Sequence, residues 1–496
     1  MCNVMRVRLV GGLAICFVGL LVVVGTATAG AGAPRPRVVP QFTLRQARSR
    51  PHASASSSLS RSASASAGTL LQSFQGIFDP GFTPSDSNGA VSPTRQVELV
   101  NSMVGIWNRS STPSLLSQTT LQTLTGAPES SVFDPNVIWD PQTRRFYYSA
   151  LDDTSNLLLV GFSKSASPSA PSDFCHYSIS QPNHIDMTLI GDSRSFIMIG
   201  TFLFFSGPEV VWYDKPPSGT SCPSNLTTGT QPIPASGAGN YPPDPVRQVD
   251  ANATGYVVFA TGAPASTLGV IPVTRSSTGT PVFGAEKDVT VPAFSAAPPA
   301  PQAAATQLIG VMDPRPTEAT SAIDPGRSGK TAIWTTQVVA GGAGSAVRWY
   351  EINPVTATLF QSGVVSDSNL WVYNGGIAPD RLVNGSTHKF GNAMAVTVDT
   401  SSSTTHIAIR YVTKIDGHAQ SALTAVKQSS ATYQSFDCQA SGAICRWGDY
   451  PGVAPDPSAS SSATRGVVWM ANMWNVANSN PTGGTAWRTW IFRVRP

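Results

Sequence analysis

Phe133-Asp134-Pro135-Asn136-Val137-Ile138-Trp139-Asp140-Pro141, continued by Arg145-Phe146-Tyr147-Tyr148, is the stretch that decides the fold. An apolar run of strand length lies between two acids six residues apart. The second acid stands where a turn leads into another β-rich run. Asp at a turn bonds its own backbone two residues on, and a following Pro fixes the next φ. The stretch reads as a strand of about five residues, a turn and a return strand.

The same spacing recurs along the chain. It appears as Asp186 and Asp192, Asp244 and Asp250, Glu318 and Asp324, and Asn374 and Asp380. A looser copy pairs Asp449 or Tyr450 with Asp456, and a degenerate one runs from Asn88 to Thr94. The turn positions 94, 140, 192, 250, 324, 380 and 456 lie 46 to 76 residues apart. Propeller blades repeat at about 40–50 residues, and insertions fall in their loops. Runs rich in Val, Ile, Thr, Tyr, Phe and Trp occupy 96–107, 146–162, 195–213, 255–273, 331–352, 393–412 and 466–494. Gly, Pro, Asn and Ser bound them, and no helical periodicity of useful length appears. The expectation is all-β: a seven-bladed β-propeller over residues 76–496, or six-bladed if the first copy is only a closing strand.

Composition supports this and excludes other classes. Of 496 residues only 12% are charged, about half the usual share, while Gly (43) and Pro (40) are abundant. A coiled coil, a helical bundle and a polytopic membrane protein are ruled out. Residues 1–61 hold eight of the 32 basic residues and no acid, which leaves the remaining chain at a net −4. That sign does not suit a nucleic-acid partner.

The N-terminus has the form of an export signal over residues 1–29. Arg6 and Arg8 precede an apolar run at 9–24, and Ala27-Thr28-Ala29 forms a small-x-small cleavage site. The run is shorter than the roughly 20 residues of a membrane span. Residues 30–75, with a Ser/Ala/Arg-rich tract at 45–68, read as a disordered linker. The expected location is therefore secreted or extracellular. Cleavage leaves Cys175, Cys222, Cys438 and Cys445, an even number in an exported chain. Of three connectivities the favoured one is Cys438–Cys445, a short local loop, with Cys175–Cys222.

The stretch from Phe133 to Tyr148 resembles a blade opening of secreted bacterial sialidase-like propellers. Arg348-Trp349-Tyr350-Glu351-Ile352 and Arg446-Trp447-Gly448-Asp449-Tyr450 are similar to later blades of that group. The resemblance spans residues 76–496 and implies the propeller fold. The sialidase Asp box is not met, since Ala322-Ile323-Asp324-Pro325-Gly326-Arg327-Ser328-Gly329 keeps only its Asp and Gly. No Arg-Ile-Pro signature is present either.

In a propeller the innermost strand of each blade lines the central channel. If each pair's first member begins that strand, Asp134, Asp186, Asp244, Glu318, Asn374 and Asp449 form a polar ring at one channel end. Facing carboxylates raise one another's pKa unless something positive stands among them. Oxygen ligands of this kind suit calcium, with Asp134, Asp186 and Asp244 as its candidate ligands. The alternative is that the ring residues cap turns and bond inner-strand backbone. Arg144, Arg145, Arg247, Arg315 and Arg446 lie near blade openings, to clamp an anion or to pair with the acids. His184, two residues before Asp186, is a candidate base. Seven tryptophans, Trp212 and Trp490 among them, serve either sugar stacking or inter-blade packing.

Two functions follow as expectations. One is a non-catalytic, monomeric exported propeller binding a glycan or a surface protein at the channel mouth through Asp134, His184, Asp186, Asp244, Arg247, Glu318, Asn374 and Asp449. The other is a glycoside hydrolase drawing two carboxylates from Asp134, Asp186, Glu318 and Asp449, which need to lie about 5–10 Å apart.

Overall fold

A computed structural model describes residues 37–38 and 67–496, except 129–130, 218, 220, 234–240 and 261. The expected export signal and most of the expected linker lie outside these residues. Seven sheets radiate about a central channel as the blades of a β-propeller. Their innermost strands are Asn88–Val91, Val132–Asp140, Ile185–Asp192, Asp244–Pro245, Thr317–Asp324, Trp371–Pro379 and Gly452–Pro455, for blades 1 to 7 in that order. Each blade continues outward through antiparallel hairpins, as in blade 2, where Arg145–Asp152, Leu157–Ser163 and Phe174–Ser180 follow.

The middle strands are buried on both faces, which is why they read as nearly unbroken apolar runs. Arg145–Asp152 is buried at every position, whereas the outer strand Leu115–Thr120 alternates exposed and half-buried residues. Neighbouring blades share apolar layers. Ile138, Tyr147 and Val160 of blade 2 meet Ile190, Ile197 and Val211 of blade 3. Such packing replaces a single central core.

Blade 4 is irregular. Its inner strand leaves after Pro245, and Arg247–Gln248 runs parallel to Thr320–Ser321 of blade 5. Gly191 and Gly200 let this segment lie directly on blade 3, because a Cβ at either position would collide with a proline carbonyl of residues 243–245.

Blade 7 closes the ring with both ends of the segment 67–496. Gly452–Pro455, Val468–Asn475 and Trp487–Arg495 are completed on the outside by Thr69–Gln75. That strand was expected to be linker. Its apolar residues are few and Leu70 and Leu71 are exposed, so its pairing, not its pattern, makes it a strand. The segment is tied on both sides: Gly68 N donates to Thr413 Oγ1 of blade 6 at 3.0 Å, and Gln72 Nε2 donates to the Ser111 carbonyl of blade 1 at 2.9 Å.

Connections between blades gather at the end where the inner strands begin. Residues 76–87, 295–316 and 429–451 interlock there as a cap. Leu308–Ile309 pairs in parallel with Ile444–Cys445. Gln302 Nε2 donates to the Tyr433 carbonyl at 2.9 Å, and Tyr433 N donates to Gln302 Oε1 at 2.7 Å. A disulfide joins Cys438 to Cys445 within the cap, and a second joins Cys175 to Cys222 at the outer edge of blade 2. Among the described residues no helix is long and apolar enough to cross a membrane.

Deleting residues 1–75 removes the outer strand of blade 7 and should lower stability by roughly 0.5–1.5 kcal/mol per ladder bond lost. Urea unfolding checks this, and a midpoint equal to that of a chain starting at residue 30 would contradict ring closure by this strand.

Candidate functional site

The inner strands explain why an acid recurs. In blades 2, 3, 5 and 6 the ladder breaks at a bulge, between Phe133 and Asn136, Asp186 and Leu189, Thr317 and Thr320, and Tyr373 and Gly376. Asp134, Met187, Glu318 and Asn374 take positive φ there, of 48°, 67°, 59° and 50°. Asp and Asn accept this conformation more readily than most residues. A bulge also frees backbone groups that need partners. Side chains of neighbouring blades supply them: Met187 N donates to Asp134 Oδ2 at 3.1 Å, and Ala319 N donates to Asp244 Oδ2 at 2.8 Å.

The turn acids do the same at the other end of each strand. Gln248 N donates to Asp192 Oδ1 at 2.7 Å, Ile323 N to Asp250 Oδ2 at 2.8 Å, and Gly466 N to Asp380 Oδ2 at 2.9 Å. Blade 1 carries the pattern two residues earlier than Asn88 and Thr94 implied. Asp86 (φ 40°) accepts from Asp449 N at 2.8 Å, and Ser92 Oγ holds the turn by accepting from Arg95 N at 2.9 Å.

The expected ring resolves into three groups, buried except at Asp186, which is half-buried. Asp134, Asp186 and Asp449 come together with Asp86 beneath the cap, and two cap arginines, Arg446 and Arg315, stand among them. Arg446 lies 3.4 Å from Asp449, and Arg315 Nε donates to Asp313 at 2.7 Å. Burial pushes the Asp86 carboxyl up to about 7, with Asp449 adding to the rise and Arg446 opposing it. Burial likewise holds Asp134 well above the carboxylate range, helped by Asp86, Asp186 and Asp449. Asp186 is pushed up to about 6 by burial against the pull of Arg315.

Asp244, Arg247 and Glu318 form the second group, with Asn88 and Asn136. Arg247 contacts Glu318 and donates to Asn136 Oδ1 at 2.9 Å, and Asn88 Nδ2 donates to Glu318 Oε1 at 2.9 Å. Asn374 belongs to a third group, donating to Asp399 at 3.0 Å and to Asn472 at 2.7 Å. Asp134 and Asp186 are thus parted from Asp244, their expected partner for calcium. Among the described residues no three His, Cys, Asp or Glu side chains are grouped to hold a metal ion. His184 does not face the ring: it is exposed and pairs with Asp153 at 2.6 Å.

The open end of the channel is the turn end, six residues, or about 20 Å of extended strand, from the capped acids. A recess of about 320 Å³ is lined there by Gln142, Arg144, Ala251, Gly385 and His388, with Asp140, Asp192 and Asp250 in its wall. Below it a narrow throat of about 40 Å³ runs into the channel between Val91, Ile138, Val249, Val383 and Val453. The wall acids are already engaged. Buried Lys215 bridges Asp192 at 2.6 Å and Asp140 at 3.1 Å. Arg381 reaches from blade 6 to Asp250 at 2.8 Å, and His388 Nδ1 lies 3.4 Å from the same carboxylate. Lys215, Arg381 and His388 were not singled out in the sequence, because their partners lie far away along the chain.

No protein-family model matches the chain, and no curated protein matches it. Among solved structures it is similar to extracellular domains 1–2 of Drosophila semaphorin 1b, at 7% identity and TM-score 0.39 over 86% of this chain and 87% of that one. The Dos1 propeller gives 7% identity and TM-score 0.38 over 85% and 94%. An exo-β-1,3-galactanase from Clostridium thermocellum gives 10% and 0.31 over 82% and 95%. The propeller fold stands on the chain's own sheets, and these distant likenesses say nothing of activity.

Asp86, Asp134 and Asp186 bind their protons more tightly in the folded state, so stability falls as pH rises from about 4 to 7. The melting temperature should be several degrees higher at pH 5 than at pH 8. Asp86→Asn should flatten that profile, and the difference between the two proteins cancels groups of opposite sense such as His176, whose pKa burial lowers. Parallel profiles for Asp86→Asn and the parent would refute the assignment.

Proposed function

We propose that the protein is an exported, non-catalytic binding propeller that takes a glycan or protein ligand at the turn end of its channel. One observation carries this reading: the open recess lies where every wall acid is already paired with Lys215 or Arg381, while the Asp86, Asp134 and Asp449 carboxyls are sealed under the cap. A glycosidase needs two carboxyl groups that reach the scissile bond. Asp134, Glu318 and Asp449 are at most 6% exposed, and Asp134 already accepts a neighbouring blade's N–H. The arginines beside them supply the positive charge for which calcium was expected, so the proposal includes no resident cation. The kinship with sialidase-like propellers is proposed for the fold alone.

Export accords with the two disulfides, which persist in oxidising compartments. The secreted protein should begin near Gly30 and show no reactive thiol by mass and thiol titration. Two or more free thiols would contradict this.

A chromogenic glycoside panel should give no turnover, whereas a glycan array or surface-protein screen should give binding. Arg144→Glu with His388→Ala should weaken that binding at least tenfold, about 1.4 kcal/mol. Asp134→Asn should leave it unchanged. Turnover that disappears in Asp134→Asn would move the function to the capped end and overturn the proposal.

A further inference from the structure

Charge is sorted by depth at the turn end. The turn acids of blades 2 to 7, Asp140, Asp192, Asp250, Asp324, Asp380 and Asp456, are at most 3% exposed. Each is answered from within the fold. Lys215 and Arg381 hold the first three, and Arg327 lies 3.8 Å from Asp324. Asp380 accepts from Gly391 N at 2.8 Å, and Arg109 and Arg493 reach Asp456 at 2.7 and 2.8 Å. Basic side chains of the same loops stand outside. Arg144 of blade 2, Arg194 of blade 3, Lys330 of blade 5, and His388 and Lys389 of blade 6 are all exposed. Arg144 and His388 line the recess, and Arg194 donates to the carbonyl of Ala251 in its wall at 2.8 Å. Lys389 reaches on to the Ser461 carbonyl of blade 7 at 2.9 Å. At the cap end the accessible side chains include Asp79, Asp153, Asp367 and Asp437, each half-buried, while Arg315 and Arg446 serve the acid cluster below. Although residues 62–496 carry a net −4, cations therefore face outward around the open channel mouth.

The spread of these cations sets the kind of ligand. One exposed cation gains little from one anion in water, about 0–1 kcal/mol. A ligand with anionic groups along its length meets several at once and releases the counterions that each side holds. The recess is at the small end of ligand pockets, so most of such a polymer lies on the face around it. A protein partner would need apolar anchors. Among the described residues, none of the large apolar side chains that stand exposed belongs to the recess. Single-stranded nucleic acid would need aromatic faces for its bases, and no Trp, Tyr or Phe lines the recess. A glycan needs neither. Its hydroxyls suit the Gln142 amide, the His388 ring and the loop backbone.

We infer that the turn face docks a polyanionic glycan, one carrying a carboxylate or sulfate on successive sugar units. Arg144 and Arg194 hold the part at the recess, and Lys330 and Lys389 meet the polymer farther along the face. This rests on the turn-end reading and adds to it the sign and the repetition of the ligand's charge.

The test uses the full secreted protein and calorimetric titration with polygalacturonate, dextran sulfate, neutral dextran and polyglutamate. At least one of the two acidic glycans should bind, the pair distinguishing carboxylate from sulfate, and neutral dextran should bind at least tenfold more weakly. Affinity for the acidic glycan should fall about tenfold or more between about 50 and 300 mM NaCl. Arg144→Glu with Arg194→Glu should weaken it at least tenfold, and Lys330→Glu with Lys389→Glu about fivefold, with melting temperatures close to the parent's. Lys287→Glu, on the outer edge of blade 4, should leave it unchanged. Should the arginine pair fail to fold, the lysine pair decides. If only neutral glycans bind, and that binding needs Arg144 and His388, the polyanion inference fails and the turn-end site stands. Acidic-glycan binding that ignores both pairs, or that falls equally with Lys287→Glu, overturns docking at this face. Tighter binding of polyglutamate than of either acidic glycan overturns the ligand class. If no glycan and no surface protein binds, the turn-end reading fails as well.

Discussion

Among the described residues the seven inner strands standing around the axis pair with a neighbour as a sheet only where Arg247–Gln248 meets Thr320–Ser321, and four of them break their own ladders at a bulge. Each break strands backbone groups in the interior, where an unpaired donor costs about 1–3 kcal/mol. The neighbouring blade answers every time. Asp134 takes Met187 N, Asp244 takes Ala319 N, Asn101 Oδ1 takes Asp134 N, and Thr336 Oγ1 donates to the Gly375 carbonyl. Blade-to-blade adhesion near the axis is therefore polar, and the apolar layers take over farther out. An acid with an oxygen to spare is the cheapest residue that both tolerates the bulge and reaches across.

That use of the acids gives the molecule two unlike ends. At the cap the carboxyls are crowded and dry, and Arg446 and Arg315 lower the cost of holding them there. Their elevated proton affinities follow from burial first and from one another second, which is the signature of a structural cluster as much as of a catalytic one. At the turn end Asp140, Asp192 and Asp250 are paired with Lys215 or Arg381 and bordered by solvent. The recess there combines an aliphatic throat with a polar rim, the usual make-up of a ligand pocket.

The six-residue spacing was legible because it has a direct physical origin: one bulged strand long enough to cross the channel, with a polar residue needed at each end. The middle strands were legible because burial on both faces demands continuous apolar residues. Blade 1 hides its pattern because Ser92 does the work of the turn Asp, so Asp86 has no acid six residues on and Asn88 and Thr94 stand out in its place. Thr69–Gln75 looked like linker because an edge strand with solvent on one side needs little apolar content. The sequence also gave no sign of which channel end is closed. The cap is made of aperiodic segments at 76–87, 295–316 and 429–451, whose mutual pairing appears only in three dimensions. His184 misled for a related reason: two residues from an inner acid along the chain is not near it in space.

The central claim is that the recurring acids act as acceptors that staple neighbouring blades. Asp244 tests it most directly, because its backbone is not in the left-handed region and its carboxyl is pushed up to about 8 by burial. Asn keeps the oxygen that meets Ala319 N, whereas Ala removes it. The measurement is the unfolding free energy of Asp244→Asn and Asp244→Ala in urea at pH 7. The account predicts Asn within about 1 kcal/mol of the parent and Ala lower by roughly 1–3 kcal/mol. Equal losses for the two substitutions, or no loss for Ala, would contradict it.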